Sequence, residues 1–215
     1  MKFLFDPLRE LEKYNKFLEA TRAGVYPLGV TGVTDSQKPY IAASVYFFEK
    51  IPFIYVAPSD VEAKKVFDDL SFLLGDRIFL FPQREIVLHD IEARSREMTA
   101  ARVEVLERLE AGEDIIVVVT PDVLVQGMVP PDVFRRGAFT IRHGERLNLD
   151  ETVKSFFYAG YERVDIVDGR GQFSVRGGIL DFYPLTGDNA YRVELFDDEV
   201  DSVRIFDVLS QRSVE

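Results

Sequence analysis

Gln172-Phe173-Ser174-Val175-Arg176-Gly177-Gly178-Ile179-Leu180-Asp181-Phe182-Tyr183-Pro184 is the stretch on which the reading of this chain turns. Phe173, Val175, Ile179 and Phe182 are apolar while Ser174 and Arg176 are polar, which reads as a strand of alternating faces. Gly177-Gly178 interrupts it. A glycine pair inside a strand marks a bulge or a close backbone approach. The stretch is therefore read as one bulged strand that holds Arg176 at the end of a rigid segment. The pattern fits two roles for Arg176 equally well: a surface ion pair beside a structural bulge, or a contact to another molecule.

Working outward, Asp168-Gly169-Arg170-Gly171 is a turn leading into the stretch, and a strand begins between Arg163 and Val167. Asn148 or Asp150 caps a helix containing Val153, Phe156, Phe157 and Tyr161, with Gly160 near its end. Phe139 to Arg142 reads as a further strand, turned by His143-Gly144. Downstream, Tyr191–Phe196 and Val203–Phe206 pair as a hairpin about Asp197-Asp198-Glu199. The acidic run Asp197 to Asp201 suits that turn better than a magnesium site, because the strand before it is half exposed rather than buried. Residues 127–215 thus read as a small α+β domain with an antiparallel sheet. Val129-Pro130-Pro131-Asp132 and the change of composition after Thr120 set the boundary, leaving residues 1–126 as the other domain.

That first domain alternates helices and strands. An amphipathic helix spans Asp6 to Glu19, Pro27 to Gly32 forms a short strand, and Lys38 to Lys50 is helical with Ile41, Val45 and Phe48 on one face. Phe53–Ala57 reads as a buried strand, followed by a helix capped at Ser59 or Asp60 and closed by Gly75. Ile78–Phe81 is the next strand, Gln83 to Arg96 a polar loop or short helix carrying His89 as a loop residue, Met98–Ala111 a helix, and Ile115–Val119 the most strand-like run. Short alternating spacing of this kind implies a doubly wound parallel sheet, an α/β fold.

Strand, glycine loop and helix at Gly29 to Lys38 is the setting of a phosphate loop, so its residues were compared with what the chemistry needs. In one register Asp35 occupies the lysine position and repels phosphate. In the other Lys38 is well placed, but Gln37 replaces a glycine and Pro39 the magnesium-binding hydroxyl. Gly29, Gly32, Asp35 and Lys38 are therefore read as a degenerate nucleotide loop that caps a helix.

The bulk numbers narrow the function further. A formal net charge of -11 argues against a surface built to embrace nucleic acid. With no cysteine, disulfides and thiolate chemistry are absent, and His89 and His143 are too few for a multi-histidine metal site. No run has membrane-spanning length, so the expectation is a soluble protein of a reducing cytoplasm, without catalytic residues, metal or cofactor of its own.

Three segments carry a resemblance: Phe173–Pro184, Tyr191–Arg204, and Phe206-Asp207 with Ser210-Gln211-Arg212. Together they resemble the amino-terminal module of the bacterial transcription-repair coupling factors, the Mfd family, and part of the excision-repair protein UvrB. The first domain fits more loosely, in the same order, with a vestigial loop at Gly29 to Lys38. The resemblance implies a degenerate, RecA/helicase-like first domain similar to UvrB domain 1a, followed by a UvrA-docking domain similar to UvrB domain 2. It further implies that Arg176 contacts UvrA, with Arg163 and Arg170 as weaker candidates and Phe182 as either an aromatic anchor beside them or a core residue. UvrB-like sequences tend to have arginine at the position of Ser174. The implied function is an adaptor that recruits UvrA to stalled RNA polymerase for nucleotide excision repair. ATP, DNA and RNA polymerase then engage other domains of a longer parent chain, whose remainder also covers the docking surface. The alternative is an ATPase or nucleotide-gated DNA-binding domain of a UvrB-like helicase.

Overall fold

In this computed structural model, residues 2–83 and 92–214 are described. The chain divides into two compact units, Met1–Gln83 with Val105–Gln126 and Arg84–Glu104 with Gly127–Glu215. His89 lies outside the described residues.

The first unit opens with α1 (Lys2–Phe5), a 3-10 turn (Asp6–Glu10) and α2 (Glu12–Arg22). The continuous helix expected over 6–19 is thus broken: Pro7 lacks the N–H that would continue α1, and Leu11 is extended before α2 begins. Pro27 to Gly32 is irregular rather than a strand, and Pro27 has no N–H to give to a ladder. Then follow α3 (Gln37–Glu49), β1 (Ile54–Val56), α4 (Asp60–Leu74), β2 (Ile78–Leu80), α5 (Glu92–Glu110), of which only the part from Val105 belongs to this unit, β3 (Ile116–Val119) and α6 (Pro121–Val125). The Ser59 side chain accepts from the Glu62 N–H to start α4, as its sequence position suggests. Helix α5 begins at Glu92, inside the segment read as a loop or short helix.

The three strands are parallel in the order β1-β3-β2, so β3 is central. All four of its residues are buried, and they alternate between two apolar clusters. Ile116 and Val118 join Ala43 and Tyr46 of α3 with Ala63, Val66 and Leu70 of α4. Val117 and Val119 join Val105 of α5 and Val123 of α6. Helices therefore cover both faces, which is the doubly wound arrangement. Two details depart from the sequence reading. Strand β1 lies at an edge, leaving Ile54 and Val56 exposed. Helix α3 buries Pro39, Ala43, Ser44 and Tyr46, whereas Ile41, Val45 and Phe48 are only partly covered.

The second unit contains α7 (Pro131–Gly137), which the sequence reading missed, and α8 (Leu149–Tyr158), capped by Asn148 accepting from the Glu151 N–H. Residues 138–142 form no strand. Five strands follow: β4 (Glu162–Arg163), β5 (Gln172–Arg176), β6 (Ile179–Tyr183), β7 (Ala190–Phe196) and β8 (Glu199–Phe206), in spatial order β4-β5-β6-β7-β8. Only β4 and β5 run parallel, so the sheet is mixed rather than wholly antiparallel. The stretch Gln172 to Pro184 is two strands, not one bulged strand. Gly177-Gly178 forms the two-residue turn of a hairpin in which Arg176 pairs with Ile179. The irregularity of this sheet falls between β7 and β8, at Glu194/Leu195.

Helix α8 packs on one face of the sheet. Phe156 meets Phe173, Leu180 and Val193, and its ring lies 4.9 Å from that of Phe173. At one end of the opposite face, Val167, Ala190 and Phe206 form a smaller cluster with Val164, Tyr183 and Val208.

Candidate protein-docking site

Side chains alternate across a strand, so the register of the hairpin decides which residues share the face opposite α8. Ser174, Asp181, Arg192 and Arg204 lie side by side across β5, β6, β7 and β8, and Arg176, Ile179, Glu194 and Ser202 form the next row. Asp181 is the anomaly among them: a carboxylate 1% exposed in the middle of a sheet. A buried charge of this kind persists only when paired and hydrogen-bonded. Arg192 supplies the pairing as a fork, with Nε 2.7 Å from Oδ1 and Nη2 2.8 Å from Oδ2. Arg176 Nη2 donates to the same Oδ2 at 2.6 Å.

The two arginines are not equivalent. Arg192 is largely buried, donates through Nη1 to the Gln211 carbonyl at 3.1 Å, and lies 4.9 Å over the Phe206 ring. Its hydrogen bond with Asp181 raises its pKa above the ordinary arginine value. The Arg176 side chain remains 49% exposed. One arginine suffices to neutralise Asp181, so Arg176 carries the charge that remains. Arg204 is exposed, and Glu194 accepts from the Ser202 hydroxyl at 3.1 Å. These two rows therefore carry three arginines against two carboxylates, within a chain of net charge -11.

The other residues singled out from sequence fall elsewhere. Phe182 is partly buried in the cluster beneath α8, 5.3 Å from Phe156 and stacked on Tyr191 at 5.7 Å. It is on the opposite face from Arg176, because its cross-strand partner is Phe173, three residues from Arg176 on the same strand, and side chains alternate along a strand. Arg163 is exposed on β4 and pairs with Phe173, which also puts it on the α8 side. Arg170 is paired with Asp188, Nη2 to Oδ1 at 2.7 Å, and lies 5.9 Å from the Tyr183 ring centroid. In the first unit, Gly29 and Gly32 are exposed in irregular chain. Lys38 Nζ is 2.8 Å from Asp35 Oδ1, and Gln37 Oε1 accepts from the Thr34 N–H. The Asp35 contact raises the Lys38 pKa and lowers that of Asp35. The lysine is thus engaged by the aspartate three residues before it.

Among the described residues no three His, Cys, Asp or Glu side chains are grouped to hold a metal, and no helix is long and apolar enough to cross a membrane.

A family model described as the UvrB interaction domain matches residues 139–215, the part of the chain that contains α8 and all five strands. Residues 139–215 are thus similar to a UvrB interaction domain. Around it, the chain is similar over nearly its whole length to transcription-repair-coupling factors. It is 35% identical over 210 residues to that of Bacillus subtilis, covering 97% of this chain and 18% of the relative. It is 32% identical over 201 residues to that of Staphylococcus epidermidis, covering 93% and 17%, and 31% identical over 185 residues to that of Staphylococcus aureus, covering 86% and 16%. The chain therefore spans less than a fifth of the length of these relatives. Within the matched residues 139–215, those that sequence reasoning overlooked are Asp181 and Arg192. Both stood in the quoted motifs, but only the cross-strand register shows that they meet.

Proposed function

We propose that this chain is a non-catalytic adaptor of a transcription-repair coupling factor, and that its UvrB interaction domain recruits UvrA. The observation that carries the reading is Arg176: a half-exposed guanidinium on the sheet face opposite α8, beside a carboxylate that Arg192 already pairs. An arginine so placed can meet a partner carboxylate through charge-assisted, two-pronged hydrogen bonds. The paired state of Lys38 and the absence of a glycine at position 37 support a first unit that works without nucleotide. Engagement of stalled RNA polymerase, DNA and ATP falls to the remainder of the longer factor.

Titrating the chain into UvrA by calorimetry tests the proposal. Wild type forms a complex, and Arg176→Ala weakens it by about 1–3 kcal/mol, on the order of 5- to 150-fold. Absence of a complex overturns the adaptor reading, and undiminished affinity of the variant overturns the role of Arg176.

A further inference from the structure

We infer that Asp181 is a positioning residue for Arg176: from its buried place on the face opposite α8 it fixes the guanidinium in one orientation toward an acidic group of the partner. The inference rests on the docking role proposed for Arg176 and adds a second residue to it.

Three observations carry it. The carboxylate is 1% exposed, so it makes no contact with a partner itself and acts only through the arginines it holds. Arg192 occupies both its oxygens and is further held by the Gln211 carbonyl, which keeps the Asp181 side chain from turning. Arg176 is tied to that fixed oxygen through Nη2 alone, at 2.6 Å, leaving Nε and Nη1 of a half-exposed side chain available. A free surface arginine loses much rotamer freedom when it binds. One already anchored loses less, and meets its target at a set angle.

The experiment uses the whole chain with 15N-labelled arginine. The Nε–H of Arg176 is restricted in wild type and mobile in Asp181→Asn, whereas that of exposed Arg204 is mobile in both. If Arg176 is as mobile as Arg204 in wild type, the inference is overturned, and this holds even if Asp181→Asn fails to fold. Binding supplies the second arm. Asp181→Asn weakens UvrA binding roughly 3- to 10-fold when Arg176 is present and leaves it unchanged in Arg176→Ala. An equal loss in both backgrounds marks Asp181 as merely structural and overturns the inference. If Arg176→Ala itself leaves affinity unchanged, the docking reading fails, and the relaxation data alone judge the positioning.

Discussion

Phe182 and Phe196 are both aromatic residues of the second unit, and their surroundings give them opposite duties. Phe182 lies against Phe156 and Tyr191 in the cluster under α8, whereas Phe196 is 81% exposed where β7 enters its turn. Phe182→Ala removes ring contacts and leaves a cavity, and is predicted to cost about 2–4 kcal/mol in urea unfolding followed by circular dichroism. Phe196→Ala is predicted to stay within about 0.5 kcal/mol of wild type. Equal losses from the two would contradict the assignment of faces. Residue by residue, the sequence was an uneven guide. It marked Arg176 because a charge inside an apolar alternation is conspicuous. It gave no signal that Asp181 and Arg192 form a fork, since they are eleven positions apart and meet only through β6–β7 pairing. Phe182 stayed open between an anchor and a core ring for a related reason: proximity to Arg176 along the chain says nothing about sides of a sheet.

At the scale of elements, the β5–β6 hairpin depends on two glycines for different reasons. Gly177 has φ +61, the region that primed two-residue turns require and side chains resist, while the space around it is open. A Cβ on Gly178 would stand 2.9 Å from the Leu195 carbonyl oxygen, on a strand whose N–H bonds back to Gly178. Gly177→Ala is therefore predicted to cost about 1 kcal/mol and Gly178→Ala about 1–3 kcal/mol, because backbone rather than a flexible side chain must give way. A tolerated Gly178→Ala in the same unfolding assay would refute the close approach. Reading these glycines as a bulge kept the apolar pattern but lost the reversal, since a pattern of period two looks the same through a tight turn as through a kink. The long runs were legible: β3 and the helices α4 and α8 follow from composition and caps. Short pieces were not. Helix α7 and the break at Leu11 depend on local hydrogen bonds too brief to leave a periodic trace.

For the whole molecule, the balance of charges sets the range of pH over which it holds together. Hydrogen bonds from Lys38, Arg22 and Ser210 hold the carboxyl groups of Asp35, Glu49 and Asp207 below their ordinary range, and these groups occur in both units. Each contributes stability that is present above its unfolded pKa, about 4, and is lost as pH falls through the lower folded value. Burial raises the phenols of Tyr14, Tyr46 and Tyr55. Stability tied to them is present below about pH 10 and is lost as pH rises through their folded values. The melting temperature is therefore predicted to be level from about pH 5 to 9 and to fall on either side. A drop of several degrees between pH 6 and 8 in a calorimetric scan would contradict this. The covering of only one face of the five-stranded sheet by a helix, α8, also bears on how such a molecule can diverge. On the proposed docking role, substitutions along the row of Arg176, Glu194 and Ser202 retune recognition without disturbing the apolar layer beneath α8, and changes in that layer retune stability without altering the proposed contact face. Asp181 is where the two histories are joined, since the same carboxylate that the fold must neutralise also orients the exposed cation.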